Sequence, residues 1–213
     1  MYTVKEIFYT LQGDGFHAGR PAVFCRFSGC NLWTGLEKDR ADAVCKFCDT
    51  DFFGVGEDGG KFKTAGDLAR RVAELWPRDF ARESRPYVVC TGGEPLLQLD
   101  EALVRAFHAE AFEVAIETNG TQLAPSGIDW ICVSPKANAP LVLTQGDELK
   151  LVYPQVEAQA QPECFEHLQF KHFSLQPMDG PALAENTRRA VKYCLEHPNW
   201  RLSLQMHKIV GLR

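Results

Sequence analysis

Short apolar runs of strand length alternate along this chain with longer stretches whose apolar residues recur at helical spacing. "AVFCRF" (22–27), "YVVCT" (87–91), "EVAIET" (113–118), "DWICVS" (129–134), "LKLVY" (149–153), "LQFKHFSL" (168–175) and "RLSLQM" (201–206) are β-rich. Several are apolar at consecutive positions, as strands buried on both faces are. Between them, "TAGDLARRVAELW" (64–76) sets Leu68, Val72 and Leu75 on one helical face behind a Thr64 cap. "DEALVRAFHAEAF" (100–112) does the same with Leu103, Val104 and Phe107 behind Asp100, and "PALAENTRRAVKYCLE" (181–196) is a third helix with Pro181 in its first turn. "VEAQAQPECFEH" is ambiguous, a short helix broken before Pro162 being one reading.

Strands alternating with helices predict a mainly parallel α/β domain, with too few helices for a full eight-fold barrel. No repeat, low-complexity tract or linker divides it, so one domain over 1–213 is expected. In such folds the site lies at the carboxyl ends of the strands. Polar, glycine-rich segments follow the strands where that rule wants them: "TGGEP" (91–95), "ETNGT" (117–121), "SPKAN" (134–138) and "QPMDG" (176–180). Each alone is an ordinary turn; four in the same topological place point to a ligand site.

Composition narrows the classes. A net charge of −5 offers no basic field for nucleic acid. No run of about 18 apolar residues is present, so no membrane span is expected. The opening "MYTVKEIFYT" lacks the apolar stretch of a signal peptide, which predicts a cytoplasmic chain with reduced thiols. Of the eight cysteines, Cys25, Cys90, Cys132, Cys164 and Cys194 have no ligand-like spacing and read as buried, inert thiols. Cys45 and Cys48 form a CxxC pair, and fourteen residues of a charged insert separate Cys30 from it.

A structural zinc site wants four ligands, often as two close pairs, and a second pair is missing. A thioredoxin-like CxxC opens a helix after a strand, whereas this one follows an irregular insert. Three thiolates also suit a [4Fe–4S] cluster with one iron left open. Spacing alone leaves the cluster level with an incomplete zinc site.

"GCNL" (29–32), "CKFCDT" (45–50) and "GGEP" (92–95), in that order, resemble the radical S-adenosylmethionine (SAM) superfamily. "FYTLQGDGFHAGRPAVFCRFSGCNLW" (8–33) is similar to the 7-carboxy-7-deazaguanine synthase family, with Asp14 where Glu is usual, Phe47 where Trp is usual, and a longer gap after the first cysteine. The resemblance implies an incomplete TIM-like barrel with reduced helices and an extended cluster-binding loop at 29–50. It implies that Cys30, Cys45 and Cys48 ligate a [4Fe–4S] cluster, that SAM takes the fourth iron, and that Thr50 ligates Mg2+. For SAM it implies contacts from Gly92, Gly93, Glu94, Glu117, Asn119, Ser134, Lys136, Gln176, Pro177, Met178 and Asp179. For a carboxylated tetrahydropterin it implies Leu11, Gln12, Gly13, Asp14, Arg26, Thr91 and His207, with Arg26 as a bidentate clamp on the carboxylate. No further catalytic side chain is assigned, because cluster and SAM carry the chemistry: hydrogen abstraction at C6, ring contraction and loss of ammonia. An electron donor such as a flavodoxin and a homodimer are also implied. Two rivals are a glycyl-radical activase, which has no need of the Gln12–Arg26 segment, and a zinc-stabilised binding module.

Overall fold

The computed structural model describes residues 1–78 and 84–212, and its backbone is organised by one nine-stranded sheet. The strands are β1 (Tyr2–Leu11), β2 (Pro21–Phe27), β3 (Gly60–Phe62), β4 (Tyr87–Gly92), β5 (Glu113–Thr118), β6 (Trp130–Val133), β7 (Gln145–Tyr153), β8 (Gln169–Pro177) and β9 (Trp200–Leu202). Their order across the sheet is β3-β1-β2-β4-β5-β6-β7-β8-β9. From β2 to β9 every pairing is parallel, whereas β1 runs antiparallel to both β2 and β3. This is an open, partial barrel, as expected.

Helices α1 (Ala65–Leu75), α2 (Glu101–Ala109) and α3 (Leu183–Glu196) supply crossovers. Thr64 and Asp67 form a reciprocal capping box on α1, and Asp100 caps α2 by accepting from the Leu103 amide. Pro181 falls before α3, whose cap is Ala182. The ambiguous stretch folds as two 3-10 turns, Ala158–Ala160 and Pro162–Cys164, because Pro162 stops a helix from running through. The strand expected over 201–206 ends at Leu202, and Met206 opens a short helix α4 (Met206–Val210).

Period-two alternation sorts strand residues onto two faces. Outward, Val23, Cys25, Phe27, Val88, Cys90, Val114 and Ile116 pack with Leu68 and Val72 of α1 and Leu103 and Phe107 of α2. That layer continues through Val133, Leu149, Leu151 and Leu175 to Tyr193 of α3. Inward, the lower sheet carries a small apolar set, Ala22, Phe24, Tyr87, Val89 and Ala115. Nearer the carboxyl ends the inward residues turn polar: Arg26 pairs across to Thr91, and Glu117 to Cys132. Of the thiols read as buried, Cys164 is a correction: it is exposed at the end of a 3-10 turn, and Cys194 is half-buried.

Segment 12–20 fills the amino-terminal mouth. Glu148, 2 % exposed, accepts from the Phe16 amide and from Ser174 Oγ at 2.6 Å. Phe16 stacks on His172 with ring centroids 4.1 Å apart, and Arg20 makes a two-bond pair with Glu113 at 3.0 and 2.7 Å. Among the described residues no helix is long and apolar enough to cross a membrane.

Phe107, fully buried where α2 meets the sheet, is the test of this layer. Phe107→Ala should lower unfolding stability by about 3–5 kcal/mol in urea titrations, while Leu195→Ala on exposed α3 surface should stay within about 0.5 kcal/mol. Equal effects at the two positions would contradict the packing described.

Candidate active site

The carboxyl ends of the parallel strands surround a cavity of about 420 Å³, within the range of small-molecule sites. Every site residue expected from the sequence lines it except Glu94. Thus "LQGDG", Arg26, the three ligand-spaced cysteines, Thr50 and the four strand-end motifs converge on one space.

Cys30, Cys45 and Cys48 line one wall, and Cys30 and Cys48 pack against a small core of Trp33, Ala43 and Phe52. The Leu32 amide donates to Cys30 Sγ at 3.4 Å. A hydrogen bond from the Cys45 thiol, against the opposing effect of burial, pulls Cys48 down to about 6. Giving that bond raises Cys45, and burial raises Cys30. No three His, Cys, Asp or Glu side chains among the described residues stand as a single-ion site requires. A cubane takes one thiolate per iron, so its ligands surround a cavity and not a point. Soft thiols on one wall fit that group. In the same cavity Gln176 Oε1 is buried with no hydrogen-bond partner among the described residues, an acceptor that a bound donor would satisfy. Lys136 donates to Ser134 O and Oγ, both at 2.6 Å, and burial lowers its pKa.

Glu94 is fully buried behind this wall. Its carboxylate accepts from the Leu96 amide at 2.9 Å, Thr118 Oγ1 at 2.7 Å and the Asn119 amide at 2.8 Å. These bonds hold the Glu94 carboxylate to its own turn and to the end of β5 and leave one acceptor position on Oε2. Burial raises its pKa, and these donors partly offset the rise. Gly93 lies so close to the loop carrying Cys30 that a Cβ would stand 2.1 Å from Gly29 O and 2.9 Å from Cys30 Cβ.

The opposite wall holds a buried ionic group. Lys150, its side chain 9 % exposed, bonds to Asp14 and, at 3.1 Å, to Glu117. Gln12 Nε2 donates to the same Glu117 oxygen at 2.9 Å, and Thr91 Oγ1 reaches the other at 3.3 Å. Glu117, expected at SAM, is thus bonded to two residues expected at the substrate, Gln12 and Thr91. Burial pushes the Glu117 carboxyl up, but Lys150 and Gln12 more than offset it and hold it below the ordinary value. Asp14 stays raised because burial outweighs Lys150, and its two anionic neighbours hold Lys150 well above the usual lysine value despite burial. Arg26 pairs with Glu6 through Nε at 2.7 Å, at the cavity wall. Lys150 escaped the sequence reading because a lysine inside "LKLVY" looks like the solvent side of an alternating strand.

The carboxyl-terminal segment closes the seam of the open barrel. The Met206 amide donates to Gly13 O at 2.7 Å, and Lys208 Nζ bridges Asp49 and Asp179, both at 2.6 Å. His207 packs so tightly on Gly13 that a Cβ there would meet its Nδ1 at 1.9 Å.

No family model matches the chain. It is 64% identical over 212 residues to the 7-carboxy-7-deazaguanine synthase of Bordetella pertussis, covering 99% of each chain. It is 62% identical over 213 residues to the enzyme of that name from Bradyrhizobium diazoefficiens, covering 100% of this chain and 99% of the relative. Among solved structures it is similar to QueE from Escherichia coli, at TM-score 0.70 and 28% identity, covering 97% of this chain and 94% of that one.

Lys150→Met strands two buried carboxylates and should cost about 3–5 kcal/mol near neutral pH. In the parent chain Glu117 is held below its ordinary value, so its ionisation contributes stability above the ordinary glutamate range and loses it as pH falls through the lowered value. In the variant both carboxyls rise and protonate readily, so the gap in urea midpoint should narrow from about pH 7 to about pH 5. A gap that is constant over that range would contradict the assignment.

Proposed function

The chain belongs to the 7-carboxy-7-deazaguanine synthase family, and on that premise we propose that it converts 6-carboxy-5,6,7,8-tetrahydropterin to 7-carboxy-7-deazaguanine with loss of ammonia. The observation that carries this reading is that ligand-spaced thiols, an unpartnered buried acceptor and a polar recognition wall share one cavity. Cys30, Cys45 and Cys48 would hold the [4Fe–4S] cluster, which with SAM supplies a 5′-deoxyadenosyl radical for abstracting hydrogen from C6.

The chain's own residues bind, orient and shield. Gly92 and Gly93 bring bare backbone to the cavity, where the methionine end of SAM can approach it. Asn119, Ser134, Lys136 and the Gln176–Asp179 segment line the same cavity and would hold the nucleoside end, Gln176 Oε1 having no partner among the described residues. On the other wall Gln12 and Glu117 offer donor and acceptor to the pterin edge, with Lys150 keeping Glu117 ionised, and Arg26 answers the substrate carboxylate. The Thr50 hydroxyl is a hard oxygen suited to Mg2+ that also takes substrate oxygens. His207 and the Lys208 bridge cover the seam and exclude water that would quench a radical. A cytoplasmic homodimer reduced by a flavodoxin-type donor completes the reading.

Anaerobically reconstituted, reduced protein given SAM, Mg2+ and the carboxypterin should form the deazaguanine without net consumption of SAM. Cys30→Ala, Cys45→Ala and Cys48→Ala should each abolish turnover and lose iron. Absence of both product and 5′-deoxyadenosine from cluster-replete protein would overturn the assignment.

A further inference from the structure

The fourteen residues between Cys30 and Cys45 have no part in the reading above, yet they fold onto the ligand turn. Trp33 is buried edge-on to Phe52, ring centroids 5.5 Å apart, and its Nε1 donates to Leu36 O at 3.2 Å. The 3-10 helix Glu37–Asp42 follows. The Val44 amide returns to Leu32 O at 3.0 Å and closes the insert against the first ligand's own strand of loop. One side chain links this fold to the CxxC pair. Arg40 Nη1 donates to Lys46 O and to Cys48 O, both at 3.0 Å, so it spans the turn that presents Cys45 and Cys48. Its other contacts hold it there. Nε donates to Glu37 at 2.8 Å, and the guanidinium lies over the Trp33 ring, 4.1 Å from its centroid.

We propose that Arg40 is a positioning residue for the cluster site. It fixes the backbone of the CxxC turn, and its permanent charge beside Cys48 favours added negative charge on the metal centre. Two physical effects follow. Nη1 reaches both carbonyls while Nε holds Glu37 and the plane lies on the Trp33 ring, a fixed geometry that an ammonium on a flexible stem does not reproduce. A fixed cation near thiolate ligands favours the reduced, more negative cluster and raises its reduction potential. The insert is then a folded scaffold that carries this guanidinium to the turn. The inference rests on the cluster assignment made under the proposed function.

The test compares the parent, Arg40→Met and Arg40→Lys after anaerobic reconstitution. It reads iron release under chelator challenge and the midpoint potential from an EPR-monitored redox titration. Arg40→Met should lose iron about 10- to 100-fold faster, the usual cost of removing an outer-shell partner, and its potential should fall. Arg40→Lys should recover the potential, because charge is kept, while iron loss stays fast, because the two-carbonyl geometry is not. Urea midpoints of the apo forms control for folding, since a merely structural residue would move those and leave the potential alone. Parent protein that takes up no cluster overturns this inference together with the reading beneath it. A replete parent matched by Arg40→Met in both readouts overturns this inference alone.

Discussion

One buried carboxylate fastens the site together. Glu94 accepts from its own turn at the Leu96 amide and from Thr118 and Asn119 at the end of β5, while its amide donates to Gly29 O at 2.9 Å. Asn119 Nδ2 then donates to Asn31 Oδ1 at 3.0 Å, and Asn31 Nδ2 donates to Thr121 Oγ1 at 2.7 Å. Cys30 is therefore clamped on both sides, by Gly29 and Asn31, to the ends of two neighbouring strands. The absence of a side chain at Gly93 lets the loop lie this close. A carboxylate at 0 % exposure is costly unless donors meet it, and three do so here.

From that fixed point the rest of the cavity follows from alternation. Residues two apart on each strand face the same way, so the rungs above the apolar set Phe24, Tyr87, Val89 and Ala115 place Arg26, Thr91, Glu117 and Lys150 around one space. Among the described residues the sheet's parallel run, β2 and β4 to β9, has seven strands and no eighth to close it. Segment 12–20 plugs the lower mouth, and α4 with Lys208 spans the side. Asp14 and Glu117 are buried together, and two carboxylates in one buried space need a cation between them, which Lys150 supplies.

Much of this was legible in the sequence, for physical reasons that also mark where reading stopped. Runs such as "YVVC" and "EVAI" bury both faces and announce themselves as parallel strands; "YTVKEIFYTL", with Lys5, Glu6 and Thr10 turned to the cavity, hid β1. Strand-end motifs marked the cavity because turn residues there must also leave room for a ligand. "GGEP" shows the Glu94 carboxylate but not the Thr118 and Asn119 donors that hold it, which lie in another strand-end motif. Lys150 was missed because its neighbours in space, Asp14 and Glu117, are 136 and 33 residues away. The insert after Cys30 looked like a lengthened loop, since Arg40's bonds to Lys46 and Cys48 carbonyls are backbone contacts that no side-chain pattern advertises.

The central claim is that three pinned thiols leave one iron of a cubane open to SAM. Mössbauer spectra of protein reconstituted with enriched iron, recorded with and without SAM, test it most directly. The account predicts a four-iron cluster in which one iron alone changes its parameters when SAM is added. A colourless zinc protein, or a cluster whose irons are all indifferent to SAM, would contradict it.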